Sequence, residues 1–230
     1  MKKFLFILSF TILTASWNVN AQSNKDQAQE RKEIAKQSRK ELEQKASKAA
    51  RKEAKSLEKE GWKVAPGALP IEKQLDKAYL MQFEYDEDGF QKYLIGEGMS
   101  TAGNYDAAKM QALELAKQNL AGQIQTEVEA LIENTVANDQ LSHGDAESIT
   151  RTIIASKNRI SQSLGRIIPI TELYRNATGN NKEVFVRIAY NSEMAKRALS
   201  RAIREELEAQ GNELHTQLDH ILGIDKPESK

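Results

Sequence analysis

The chain has 230 residues, 33 Lys/Arg against 33 Asp/Glu, 6% aromatic residues and no cysteine. That length sets one domain, or one domain with an appendage. A zero net charge excludes a globally basic nucleic-acid binder, and the missing cysteine excludes disulfide scaffolds, thiolate zinc sites, iron–sulfur clusters, thiol catalysis and lipid attachment through cysteine.

Met1, Lys2 and Lys3 precede the apolar run Phe4–Ala15, and Val19 and Ala21 are small residues suitably placed before a cut at Gln22. This pattern predicts a cleaved secretory signal over 1–21 and an exported protein, periplasmic or secreted. The run is too short to span a bilayer, which needs about 20 apolar residues, so the mature chain is expected to have no span. Between Lys25 and Glu60 there are 12 Lys/Arg and 8 Asp/Glu, with no Gly, Pro or aromatic residue. Strong helix formers and opposite charges at helical spacing predict a charged arm over 22–60, either one long helix or a helix-prone disordered segment. Its apolar positions are mostly alanine, too small for a stable two-stranded seam. The arm therefore reads as a spacer, or as a contact for anionic envelope surface or a partner helix. From Gly61 onward 19 Lys/Arg face 25 Asp/Glu, so a basic arm joins an acidic body.

Gly61 and Trp62 end the arm, and Pro66, Gly67 and Pro70 break helix before Ile71. Residues 61–89 form an aromatic connecting segment. The spacing of Ile71, Leu75, Ala78, Tyr79 and Phe83 predicts a short helix over 70–85, and Asp86–Gly89 a turn. Residues 92–102 read as a strand, with Gly96 and Gly98 marking a bulge or close packing. A long amphipathic helix is predicted from Tyr105 to about Ala137, followed by a loop ending in an Asp145 cap and a second helix up to Gly165. Residues 166–175 and 183–190 read as a hairpin, with Pro169 at an edge or bulge. A final helix carries Leu199, Ile203, Leu207, Leu214, Leu218 and Ile221 on one stripe. The order predicts an α+β fold: a small antiparallel sheet of about three strands, with helices covering one face, preceded by a charged N-terminal helix.

The segment from Gly96 to Val128, glycines on a strand followed by a helix of regularly spaced alanines ending in Leu120-Ala121 and Ile124, resembles the LPP20-like bacterial envelope domain. The serines at 156, 161 and 163 and the strand Glu183–Tyr190 before a helix fit the same pattern, so the resemblance covers roughly Phe90 to Leu207, about half the chain, within a domain read as 90–224. It implies a helix-on-sheet module of outer-membrane and periplasmic proteins, peripheral to the outer membrane and without recognised catalytic residues. The lipidation cysteine of that family is absent here, and 225–230 reads as a tail.

No chemical motif is complete. Gly96, Gly98 and Gly103 give the wrong spacing for a dinucleotide fingerprint. His215 and His220 are five apart, so they diverge on a helix, and with His143 they read as solvated rather than metal-binding. Asp86–Gly89 echoes a calcium loop but reads as a turn. The 176–178 sequon carries little weight in a bacterial exported chain. No catalytic residue, cofactor or metal is assigned. The candidate partner contacts are Trp62, Phe83 and Tyr85 in the aromatic segment and Arg197, Arg201 and Arg204 on the last helix. The leading reading is a non-catalytic exported envelope protein binding a protein partner or the envelope surface, with no nucleic acid. The alternative is a periplasmic hydrolase whose site is built from scattered carboxylates such as Glu97, Glu114 and Glu127.

Overall fold

The computed structural model describes residues 44–224, Asp88 excepted. The expected signal segment, most of the expected arm and the tail lie outside the described residues. From Ala46 onward the chain forms one compact unit. It contains α1 (Lys48–Lys59), α2 (Ile71–Gln82), β1 (Tyr93–Ala102), α3 (Tyr105–Ala137), α4 (His143–Ala155), α5 (Lys157–Ser163), β2 (Ile168–Asn176), β3 (Lys182–Asn191), α6 (Ser192–Gln210) and α7 (Asn212–Leu222). The three strands pair antiparallel in the order β1-β3-β2, so the fold is α+β as expected.

Local chemistry accounts for the boundaries. Asn104 caps α3 by accepting from the Ala107 amide at 2.9 Å, and Asn191 caps α6 by accepting from the Met194 amide at 3.0 Å. Ser142, not Asp145, caps α4. Its hydroxyl accepts from the Asp145 amide, while Asp145 sits at the third helical position and accepts from the same hydroxyl. The second helix breaks at Ser156, and the last helix breaks at Gly211. The hairpin between β2 and β3 turns through a 3-10 segment at Thr178–Asn180. Pro169 meets both expectations, since β2 is an edge strand and its register shifts between Pro169 and Thr171.

The main core lies between the sheet and α3 to α7. Val184, Val186, Ile188 and Tyr190 of β3 face it, together with Leu120, Ile124, Ile149, Ile153, Leu199 and Ile203. Gly96 and Gly98 show why β1 carries glycine. A Cβ on Gly96 would fall 2.6 Å from Leu120 Cγ, and one on Gly98 would fall 2.6 Å from the Ala116 amide nitrogen. Both would also collide with helical carbonyl oxygens, of Ala116 and Ala112. The strand and the alanine face of α3 therefore touch backbone to backbone.

The opposite face of the sheet is covered too, which the sequence reading did not foresee. Trp62, Leu75 and Leu173 form a second core with Ala46, Ala50 and Ala54, and Ala78 packs over Ile170 and Ala189. The boundary expected at Gly61 is thus displaced. Small size, which disqualified these alanines as a coiled-coil seam, lets α1 approach α2 closely. Tyr79 of α2 donates to Glu53 of α1, and the Ser47 amide donates to Asp76 at 3.0 Å, tying the two helices further.

Each sheet edge is covered in part by side chains or chain. On the outer side of β2, Lys63 exchanges backbone bonds of 2.8 and 2.9 Å with Tyr174, and the Glu172 amide donates to buried Gln74 at 2.7 Å. On the outer side of β1, Gln123 donates to the Ile95 carbonyl at 2.8 Å, and the Glu97 amide donates to Asn119 at 3.5 Å. Such pairing removes some of the open donors and acceptors that would otherwise invite another strand.

Candidate functional site

The chain between α2 and β1 turns back on itself. Asp86 donates its amide to the Phe90 carbonyl at 2.8 Å, and Lys92 donates to the Glu84 carbonyl at 2.9 Å. Asp86 Oδ1 accepts from the Phe90 amide, and the Lys92–Glu84 ion pair at 2.6 Å closes the base. The expected turn is therefore a small hairpin. Its apolar side chains are exposed, Phe83 at 63%, Tyr85 at 55% and Phe90 at 69%, and Leu80 in the last turn of α2 is 70% exposed. Four large apolar groups presented within eleven residues exceed the scattered single exposures of an ordinary surface.

Phe83 and Tyr85 are thus available for contact, but Trp62 is not. Only 6% of its surface is exposed; it meets Phe185 edge-on at 6.3 Å, and the Arg175 guanidinium stacks on it at 4.5 Å. Trp62 is a core residue, because the sheet's second face required a large flat side chain and the sequence could not reveal that face. The arginine stripe is also less available than its spacing implied. Arg201 and Arg204 are exposed, but Arg204 lies 3.6 Å from Glu208 and 3.7 Å from Asp219, and Arg197 is half-buried and engaged. Negative neighbours on α6 and α7 neutralise part of the stripe.

A polar cavity of about 390 Å³ opens beside the base of the hairpin, between α2, β1, β3 and α3. Its centre is the cross-strand pair Glu97 and Arg187, which face each other in register and join at 2.6 Å. Gln82 and Gln91 border it from the hairpin side, Asn119 and Gln123 from α3. A neighbouring hollow of about 630 Å³ shares Asn119 and Gln123 and extends along α3 past Glu127 to Lys157. Partial desolvation in the hollow holds the carboxyl of the otherwise exposed Glu127 above its ordinary pKa, with Lys196 opposing the shift. A third hollow, of about 700 Å³, is apolar and lies between α3 and α4, against Ile132, Val136, Ala146 and Ile154.

His215 corrects another expectation. It is buried, at 4% exposure, and its Nε2 lies 3.1 Å from the Ser200 hydroxyl, with Nδ1 3.4 Å from Asp219. Ser200 itself donates to Asp219 at 2.6 Å. The three residues join α6 to α7 as a closed triangle. Because the serine hydroxyl is buried and already bonded to the carboxylate, the geometry fits a helix–helix fastening rather than an activated nucleophile aimed at a substrate. The four-residue spacing of His215 and Asp219 was readable in the sequence; the partner serine, fifteen residues earlier, was not.

The carboxylates do not converge. Glu97 pairs with Arg187, Glu114 with Lys117, and Glu127 lines the hollow beyond Asn119. Among the described residues, no group of three or more His, Asp or Glu is arranged to hold a metal ion, and no helix is long and apolar enough to cross a membrane. Compared with protein-family models, with curated proteins and with solved structures, the chain matches none.

Proposed function

We propose that the protein is a non-catalytic, exported cell-envelope module of LPP20-like type, whose α+β body presents the 83–91 hairpin to a protein partner. The single observation that carries this reading is the joint exposure of Leu80, Phe83, Tyr85 and Phe90. Aromatic side chains on a rigid base supply large contact area at small conformational cost, which is why interfaces use them as anchors. Beside Glu84, which Lys92 neutralises, the hairpin also carries Asp86, Glu87 and Asp88, an acidic set that opposes docking on an anionic lipid surface. A protein partner with an apolar pocket and a basic rim fits this chemistry. The apolar run at the N-terminus and its small-residue cut pattern support export.

The test is in-cell cross-linking with mass spectrometry, comparing the native chain with Phe83→Ser/Phe90→Ser. The native chain should give cross-links mapping to the hairpin that the variant loses, while its melting temperature stays unchanged because both side chains are exposed. Cross-links that persist in the variant, or that map elsewhere, reject the hairpin as the contact.

A further inference from the structure

We propose that the cavity centred on Glu97 and Arg187 is a binding site for a neutral saccharide of one or two rings. This goes beyond the partner-docking role of the hairpin and, Gln91 apart, stands on different residues.

The hydrogen-bond network fixes which atoms remain for a ligand. Gln123 Nε2 donates to both the Ile95 carbonyl and Asn119 Oδ1, at 2.8 Å each, which leaves Gln123 Oε1 as an acceptor. Asn119 Oδ1 is engaged by Gln123 and by the Glu97 amide, which leaves its Nδ2 as a double donor. Gln91 Nε2 donates to the Gln82 carbonyl at 3.4 Å, leaving Gln91 Oε1. Arg187 uses Nε on Glu97 Oε1, so its two terminal nitrogens and Glu97 Oε2 remain. The cavity therefore offers both donors and acceptors, on side chains whose other polar atoms are already bonded.

Charge and shape narrow the ligand class. Glu97 and Arg187 cancel each other, and no further Asp, Glu, Lys, Arg or His lines the cavity, so neither an anion nor a cation is selected. Hydroxyl groups, which donate and accept at once, suit a wall that offers both. Ala78, Ile95 and the half-buried Tyr93 contribute only a small apolar part of a mainly polar wall, so hydrogen bonds rather than ring stacking carry the recognition. The volume of about 390 Å³ falls at the small end of ligand cavities. A peptide strand is disfavoured, because the outward Ile95 carbonyl and Glu97 amide that it would pair with are already bonded to Gln123 and Asn119.

The test follows the side-chain amide resonances of Asn119 and Gln123 by ¹⁵N NMR in the purified full chain. The probes are glucose, galactose and maltose, each titrated through the millimolar range, with glycylglycine and citrate as comparison ligands. At least one sugar should shift these resonances saturably, with little response to glycylglycine or citrate. Gln91→Ala, at an exposed position that leaves the core intact, should weaken that sugar about tenfold. Asn119→Asp, which removes the double donor, should weaken it at least as much, and retained spectral dispersion reports that each variant folds. The proposal is overturned if no sugar shifts the amides, if glycylglycine or citrate shifts them equally, or if both folded variants bind like the native chain.

Discussion

Gly98 of β1 lies against the backbone of Ala112 so closely that a Cβ on the glycine would collide with the Ala112 carbonyl oxygen. The contact fixes the distance between the sheet and α3, and hence the height at which Asn119 and Gln123 meet the edge of β1. Gly98→Ala should therefore force α3 away from the sheet and lower stability by about 3 kcal/mol, the upper range for overpacking a close-packed site. Gly103→Ala provides the comparison, because nothing lies within 4 Å of a Cβ there. Thermal melts of the two variants check this; equal melting temperatures would refute the contact.

The second core predicts that α1 is part of the folded body. Ala50 is fully buried against the layer that holds Trp62 and Leu75, whereas its neighbour Ala49 is exposed. Ala50→Glu should destabilise by about 3 kcal/mol, since it buries a carboxylate without a partner, and Ala49→Glu should stay within about 0.5 kcal/mol of the native chain. Urea denaturation measures both, and an equally mild effect would return α1 to the status of a spacer.

The Ser200–His215–Asp219 triangle predicts a structural penalty. Ser200→Ala removes a hydroxyl that serves both partners, leaving a buried imidazole nitrogen and a carboxylate oxygen without it, at a cost of about 1–3 kcal/mol. Chemical denaturation should show this loss. Amide exchange along α7 should accelerate, because the fastening to α6 is weaker; unchanged exchange would mean that apolar contacts alone hold the two helices.

Three tyrosines hold their protons above the ordinary tyrosine range. Tyr79 does so mainly through its hydrogen bond to Glu53, Tyr105 through burial and its bond to Glu172, and Tyr190 through burial. Above about pH 10 the unfolded chain releases these protons while the folded chain keeps them, so stability is full below that pH and falls as pH rises beyond it. Melting temperature measured across the alkaline range should decline, and Tyr105→Phe should make the decline shallower. An identical slope in that variant would show that Tyr105 contributes nothing to alkaline unfolding.

Much of the architecture was legible because its signals are local. The stripe of α3, the short helix after Pro70, the β2–β3 hairpin and the edge position of Pro169 follow from periodicity, turn chemistry and the missing proline amide. The cap at Ser142 was misplaced by three residues because Ser142 and Asp145 are both good caps and bond to each other. The candidate site was legible only in part. Phe83 and Tyr85 stand exposed, whereas Trp62 is enclosed, and the amides that shape the polar cavity come from three separate segments, with a helical spacing connecting only Asn119 and Gln123.

By itself, the sequence determined which stretches form helices and strands, the antiparallel hairpin, and the division between a basic arm and an acidic remainder, since each depends on neighbours within a few residues. The tertiary structure alone decided that both faces of the sheet are covered, that the arm's last alanines belong to a core, and that Glu97, Asn119, Gln123 and Arg187 meet. Alanine, glutamine and asparagine carry little periodic signal, and what they do depends on which backbone comes within reach. Here that was set by Gly96 and Gly98, where a missing Cβ lets a helix rest directly on a strand.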